Sequence, residues 1–313
     1  MLEANDIITL AAGRYRLRTQ LGGSAYGVVW RAQSPSGADV ALKLVNREQM
    51  ARAHPALQER WSASALKEIA FLRSLAPWDE RHIVRLLDSG IHDGLPVMAL
   101  ELMETDLARH LAAGHPIALD RALAWTSQVN QALAKVHQYG WLYLDLKPAN
   151  VLTSSGAVKL ADFGTSRLRS EAPASAYAGT ASWQAPEQFF PTASGTYDTD
   201  ARSDYFALGA MFYYLVTGGL QLRFCSNCGH AYRDDPSNAA GALLSRHAGR
   251  LPPTLHADEA ELFMHRVGHA DATACAALAM LRALLAADRS ERPQHAIHIS
   301  RRIRASTPAW SAA

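Results

Sequence analysis

The sequence predicts an α+β fold in two lobes: a small lobe built on an antiparallel sheet over residues 1–102, and a larger, mainly helical lobe over 103–313. Three observations predict it. Apolar and polar residues alternate through much of the first hundred positions, whereas apolar residues recur at three- and four-residue steps through most of the remainder. No internal repeat or low-complexity linker interrupts the chain. Two such lobes are expected to meet at a cleft, the kind of place where ligands sit.

Each element follows in order. Tyr15, Leu17, Thr19 and Leu21 alternate with polar residues, and "GVVWRAQ" and "ADVALKLV" flank the turn "SPSG", so the chain opens as a sheet. From Pro55 to Leu75 the pattern turns helical, clearest in "ALKEIAFLRSL", and Pro77 ends it. "RHIVRLLDSGIHDGLPVMALELM" reads strand, turn, strand. Beyond Met103, Ala122, Trp125, Val129, Leu133 and Val136 mark one buried helical face, and "NVLTSSGAVKLADFG" is a short β insert. The longest apolar run, "YFALGAMFYYLV", falls well short of the ~18 residues needed to cross a bilayer.

Composition narrows the function classes. With 31 basic and 29 acidic residues the formal net charge is +2, so no global field recruits nucleic acid or an anionic membrane, and a partner must be recognised by a site. The N-terminus lacks both the positive start and the long apolar core of a secretory signal. Three cysteines, an odd number, argue against a disulfide framework, so a reducing, cytoplasmic setting is expected. Only five basic residues are lysines (Lys43, Lys67, Lys135, Lys147 and Lys159), which makes a lysine at a motif position informative. This Arg- and Ala-rich, Lys-poor composition suggests a bacterial source with a GC-rich genome.

The chemistry concentrates in a few stretches. In "LYLDLKPANVL", Asp145, Lys147 and Asn150 have the spacing of a loop that offers a base, a cation and a metal ligand to a phosphate. "LGGSAYGVVW" joins two strands through glycines that let backbone N–H groups approach phosphate oxygens. Lys43, in "VALKLV", is either a snorkelling surface lysine or a cation aimed at phosphate and held by a helical carboxylate, with Glu68 the candidate partner. Asn150 and Asp162 could hold Mg²⁺, a hard ion that prefers oxygen ligands. "DFG" at Asp162–Gly164, "GTASWQAPEQ", "SDYFALG" and "DRSERP" follow in order.

Taken together, these motifs resemble the eukaryotic-type (Hanks-type) serine/threonine protein kinases, from about Tyr15 to Ile303. The resemblance implies the bilobal protein-kinase fold, ATP with Mg²⁺ (or Mn²⁺) as cofactors, and protein Ser/Thr hydroxyls as acceptors; the roles that follow are those of the family template. Leu21, Gly22, Gly23, Ser24, Gly27, Val29, Ala41, Lys43, Glu101, Met103 and Leu152 would bind ATP, with Leu100 as gatekeeper. Glu68 would orient Lys43, Asp145 would be the base beside Lys147, and Asn150 and Asp162 the metal ligands. Phe163, Glu187, Asp204 and Arg292 would be structural, with Glu187 paired to Arg292 and Asp204 bracing the catalytic loop. Thr180 would bond Asp145 and Lys147.

Three departures from the family pattern matter. Ser24 replaces a glycine of the loop and is expected to weaken nucleotide affinity without abolishing it. An added segment, "REQMARAHPALQERWSAS", separates Lys43 from Glu68; it either lengthens or precedes the helix of Glu68 and regulates it, or is a surface decoration. Tyr143 and Leu144 stand where the family has His-Arg. Tyr143 can supply the bulk needed in a column with Leu72, Leu86 and Phe163. Leu144 cannot grip an activation-segment phosphate, so hydroxyls at Ser166, Ser170, Ser175 and Tyr177 are expected to be dispensable as phosphate acceptors. The reading is thus a live kinase lacking one switch. It is weighed against a nucleotide-binding pseudokinase scaffold and a small-molecule kinase.

A second unusual stretch spans about residues 219–275. Cys225 and Cys228 have C-x-x-C spacing, which recurs in zinc sites, and His265 and His269, four apart, would share a helix face. The expectation is a zinc ion on Cys225, Cys228, His265 and His269, with His230 the competing ligand and His247, His256 and Cys275 further possibilities. The bland alternative is a reduced surface loop with two idle cysteines or a redox pair.

Overall fold

Arg14, Arg16 and Arg18 face solvent while Tyr15 and Leu17 between them are buried, so the alternation read in the sequence is the two faces of one strand. The computed structural model describes residues 2–24, 26–114, 117–173, 177–268 and 271–307. It divides into two units, Met1–Glu104 with Ala161–Gly164, and Thr105–Leu160 with Thr165–Ala313.

In the first unit the strands are β1 (Ile7–Leu10), β2 (Gly13–Gly23), β3 (Gly27–Gln33) and β4 (Asp39–Val45). Helices α1 (Arg47–Arg52) and α2 (Pro55–Ser74) come next, then β5 (Leu86–His92) and β6 (Leu95–Glu101). The sheet is antiparallel in the order β1-β2-β3-β4-β6-β5. Its core includes Ile8, Tyr15, Leu17, Trp30, Leu42 and Val97. The alternation does not continue through Thr19 and Leu21: register shifts after Leu17 and after Gln20 leave Thr19 exposed and Leu21 half-buried.

The segment added after Lys43 both precedes and lengthens the helix of Glu68. Asn46 caps α1 by accepting a hydrogen bond from the Gln49 N–H (3.2 Å), and Ala53, in extended conformation, closes it. Pro55 then starts α2, the one helical position where a missing N–H costs nothing. Twenty residues in a single helix carry the chain from the insertion to Glu68 and on to Ser74.

The second unit runs through β7 (Thr105–Asp106), α3 (Leu107–Ala112), α4 (Leu119–Gln138) and β8 (Trp141–Leu142). β9 (Val151–Ser154), β10 (Ala157–Leu160), β11 (Arg167–Leu168) and α5 (Pro186–Phe189) follow. The remaining helices are α6 (Ala201–Val216), α7 (Arg223–Asp234), α8 (Ala239–Arg246), α9 (Ala257–Val267), α10 (Ala272–Leu284) and α11 (Ala296–Ala305). Ala122, Trp125, Val129, Leu133 and Val136 are all buried, forming the expected face of α4. Trp125 Nε1 donates to the Gly156 carbonyl at 2.9 Å, fastening α4 to the β9–β10 turn. Helix α6 is apolar on nearly every side and correspondingly buried, capped at its start by Asp200. Among the described residues no helix is long and apolar enough to cross a membrane.

The zinc expectation finds no support among the described residues. Cys225 and Cys228 lie on α7, not on a loop, and both face the interior with no exposure. His230 is exposed on the same helix and His265 is exposed on α9, which closes at Gly268; His269 lies outside the described residues. Among the described residues, no group of three or more His, Cys, Asp or Glu side chains could hold a metal ion. Burial pushes both thiols well above their usual range. Phe224, Ala231, Leu243 and Phe263 are buried within this segment, giving it an apolar core of its own. The Phe224 ring meets Phe206 of α6 at 5.7 Å and Phe263 meets Phe212 at 5.4 Å.

Candidate functional site

The first unit assembles a charged triad. Lys43, on β4, donates from Nζ to Glu68 Oε2 at 2.7 Å and to Asp162 Oδ1 at 2.8 Å. Its place on the sheet is fixed by register: Lys43 sits opposite Val29 on β3 and Met98 on β6. Burial pulls the Lys43 ammonium down, but Asp162 and Glu68 outweigh it and hold the group above its usual range, so it stays charged. Burial pushes the Glu68 carboxyl up, and Lys43 pulls it back. Glu68 is almost fully covered whereas Asp162 keeps 42% of its side chain exposed, so Asp162 is the carboxylate a cation can reach. Phe163 is buried and packs its ring 4.5 Å from Phe71 of α2, which anchors the residue next to Asp162. Leu72 is buried one position further along α2, and Leu86 is half-buried.

Hydrogen bonds join the described residues of the glycine-rich turn. Gly22 and Gly23 pair with Val29 and Val28 across β2 and β3. Ser24 closes the turn: its N–H donates to the Gly27 carbonyl (2.7 Å), and its Oγ accepts from the N–H groups of Gly27 (3.1 Å) and Tyr26 (3.2 Å). The hydroxyl at the substituted position is therefore engaged with its own turn. Leu21, Val29, Ala41 and Met103 are half-buried, leaving apolar surface, and Leu100 is buried beside Ala41. Glu101 is bound to Arg85 by main chain and side chain alike: its N–H donates to the Arg85 carbonyl and its carboxylate accepts from the Arg85 N–H.

In the second unit, Asp145 is the hub of a separate network. Thr180 Oγ1 donates to Asp145 Oδ1 (2.7 Å), while Lys147 Nζ (2.9 Å) and Asn150 Nδ2 (3.1 Å) donate to Oδ2. Lys147 Nζ also donates to Thr180 Oγ1 at 2.7 Å, and Asn150 Nδ2 to the Asp145 carbonyl at 2.9 Å. Leu152, on β9, is half-buried.

Asp204, at the start of α6, holds the loop from below. Its carboxylate accepts from the N–H groups of Tyr143 (3.0 Å) and Leu144 (2.7 Å) and shares a 2.8 Å hydrogen bond with His137 Nε2. Tyr143 and Leu144 are both buried. Leu144 has φ +64°, a backbone conformation that side chains of its kind rarely adopt, and the bonds from its N–H to Asp204 and from Gln188 Nε2 to its carbonyl (3.0 Å) hold it there. Gly179 has φ +99°, and a Cβ on it would collide with that same carbonyl, so only glycine fits. Arg292, wholly buried, makes a two-pronged pair with Glu187 (2.7 and 3.0 Å), and Ser203 Oγ donates to the same carboxylate at 2.6 Å.

Sequence reasoning missed several participants. His137 and Gln188 brace the loop of Asp145 through Asp204 and Leu144. Tyr177, in the segment before Gly179, stacks on Tyr232 of α7 at 4.9 Å and 12° and meets Tyr197 edge-on at 5.8 Å. Trp61 and Ser64 touch the glycine-rich loop and Gly164. For these last two a signal existed: they stand seven and four residues before Glu68, on one helix face.

A family profile described as "Protein kinase domain" matches residues 15–298. Among curated proteins the chain is similar to the serine/threonine-protein kinase pkn2 of Myxococcus xanthus, 29% identical over 96% of this chain and 33% of that one. It is also similar to the serine/threonine-protein kinase PkaA of Streptomyces coelicolor, 32% identical over 66% of this chain and 39% of that one. Cyclin-dependent kinase F-4 of Oryza sativa subsp. japonica is 32% identical over 65% of this chain and 42% of its own length. The chain spans less than half the length of each of these relatives.

Proposed function

The chain belongs to the protein kinase domain family, and on that premise we propose that it transfers the γ-phosphoryl group of ATP to serine or threonine hydroxyls of a protein, in the cytoplasm, without needing a phosphate on its activation segment. The observation that carries the reading is the network on Asp145, whose two oxygens are held by Thr180, Lys147 and Asn150. A carboxylate fixed in this way presents its charge in one orientation to an incoming hydroxyl, and it takes the hydroxyl proton as the new P–O bond forms. Lys147, bonded to that same carboxylate, supplies positive charge where negative charge develops on the transferring group. Lys43 fixes the nucleotide phosphates, and Glu68 fixes Lys43.

Each unit offers one donor of the kind Mg²⁺ takes. Asp162 offers an accessible carboxylate; Asn150, whose amide nitrogen is committed to Asp145, offers its amide oxygen. Both are the hard oxygen donors that the ion takes alongside phosphate. When bound, Mg²⁺ neutralises charge on the β- and γ-phosphates. The exposed apolar surface of Leu21, Val29, Ala41 and Met103 suits a flat base.

Independence from activation-segment phosphorylation is supported by what replaces the missing arginine. Leu144 is buried and apolar, and the segment is held instead by the Tyr177–Tyr232 stack and by Gln221 Nε2, which donates to the Ser182 carbonyl at 2.6 Å. Ser166 is buried and Tyr177 is packed, so alanine at either position would test packing, not phosphate. The decisive experiment compares wild type with Asp145→Asn and with Ser170→Ala/Ser175→Ala, using ATP, Mg²⁺ and a generic basic protein. Asp145→Asn should lose transfer by at least about a hundred-fold, and the double alanine variant should stay within a few-fold of wild type. Full activity in Asp145→Asn, or transfer to tyrosine alone, would overturn the reading. A hundred-fold loss in the double variant would restore a phosphate switch.

A further inference from the structure

We propose that the segment added after Lys43 is a latch on the nucleotide loop, with Trp61 and Ser64 as positioning residues that tie the glycine-rich turn and the Asp162–Gly164 turn to the helix of Glu68. This rests on the nucleotide-binding reading above. The sequence alone left the segment undecided between a regulator and a decoration.

The argument starts from helix geometry. Trp61, Ser64 and Glu68 are spaced by three and four residues on α2, and seven residues bring a helix to within about 20° of two full turns, so all three side chains leave from one face. Each meets a different part of the first unit. Glu68 accepts from Lys43 at 2.7 Å, and Lys43 in turn holds Asp162. Ser64 Oγ donates to the Gly164 carbonyl at 2.7 Å. The contact is close enough that a Cβ on Gly164 would stand 2.6 Å from Ser64 Oγ, so this serine requires glycine at 164. Trp61 meets the Tyr26 ring with centroids 5.1 Å apart and planes at 42°.

The residue just before the added segment binds the same turn through both its main chain and its side chain. Asn46, the cap of α1, donates from its N–H to the Tyr26 carbonyl (3.0 Å) and from Nδ2 to the Ser24 carbonyl (2.8 Å). Its Oδ1 meanwhile accepts from Gln49 in starting the helix. One asparagine thus begins the inserted helix and pins the loop. Tyr26 is 53% exposed, so its ring is not held by the core, and Trp61 is what confines it. The consequence is mechanical. A glycine-rich hairpin left to itself would sample many conformations before closing on phosphate, and ordering it costs binding free energy. Fixing its tip to the helix that also carries Glu68 sets loop, lysine and Asp162 in one arrangement before the nucleotide arrives.

Steady-state kinetics on the full chain, with ATP·Mg²⁺ and protein substrate varied separately, test this. Trp61→Ala should raise the KM for ATP about three- to ten-fold, the range of a single aromatic pair, and leave the protein-substrate KM unchanged. Trp61→Phe, which keeps a ring, should recover most of the loss. Tyr26→Ala should match Trp61→Ala, and the double variant should be no worse than either single one. Tyr26 lies half-exposed in a turn, so its variant carries the test even if Trp61→Ala fails to fold. A wild-type KM for ATP in Tyr26→Ala, or fully additive effects in the double variant, would overturn the latch. Wild-type protein that binds no ATP in an equilibrium measurement would instead overturn the nucleotide reading beneath it.

Discussion

The two added segments of this chain spend their distinctive residues in opposite directions. The segment after Lys43 turns Trp61 and Ser64 outward from its helix onto the glycine-rich turn and the Gly164 turn. The segment after α6 turns Cys225, Cys228 and Phe224 inward, and the Phe224 ring packs on the helix that carries Asp204. A C-x-x-C pair looks like chemistry and packs as core, while an ordinary tryptophan in an ordinary helix reaches the site. Residue type therefore says less than the face on which the helix places it. The second segment also reaches outward: the Tyr232 ring stacks on Tyr177, and Gln221 Nε2 donates to the Ser182 carbonyl.

The largest expected effects set machinery against packing. Lys43→Met should reduce transfer by at least about a hundred-fold with the fold retained. Glu68, already pushed up by burial, would take up a proton once its partner is gone. Phe224→Ala should do the reverse: it opens a cavity beside Phe206 and should cost about 3–5 kcal/mol of stability, while the rate per folded molecule stays within about two-fold. Denaturant titration beside initial rates separates the two. A Phe224→Ala protein that remains folded but has lost transfer would break the comparison, because the second segment would then belong to the site.

What was legible in the sequence follows the same division. Strand alternation, the buried face of α4 and the motif residues around Lys43, Asp145 and Asp162 could be read because each depends on local spacing or on a loop of fixed composition. The alternation in β2 failed after Leu17, where bulges shift the register and no residue announces them. The zinc reading finds no support among the described residues, and C-x-x-C carries no information about whether its backbone is loop or helix. In α7 that spacing puts both sulfurs on the buried side, with His230 exposed. Tyr177 and Tyr232 are 55 residues apart, and Trp61 and Tyr26 are 35 apart, and nothing in local periodicity links such pairs.

The comparison sharpens if the two segments divide the kinetics. Tyr232→Ala removes the stack on Tyr177, worth about 0.5–1.5 kcal/mol, and loosens the segment that leads to Gly179 and Thr180. It should raise the protein-substrate KM about three- to ten-fold and leave the ATP KM within about two-fold, the mirror image of Trp61→Ala. Tyr232→Phe keeps the ring and should behave as wild type. An ATP KM that rises with Tyr232→Ala would show that the two segments act on one shared step, and the division of labour between them would fall.

The smallest effect concerns the thiols at neutral pH. Burial pushes Cys225 and Cys228 well above the usual thiol range, and neither is exposed, whereas Cys275 lies on the surface. Reaction with a disulfide reagent requires an accessible thiolate. An aromatic disulfide reagent should therefore titrate one of the three cysteines promptly in the native protein and the remaining two only as the chain opens or in denaturant. A strong chelator should shift the melting temperature by less than about 1 °C, since a structural zinc contributes folding free energy outright and its removal would be conspicuous. Prompt reaction of all three thiols would mean that α7 opens readily and is not the packed counterpart of the first segment. A large chelator-induced drop in melting temperature would mean that a metal, not Phe224 and its neighbours, holds the second segment together.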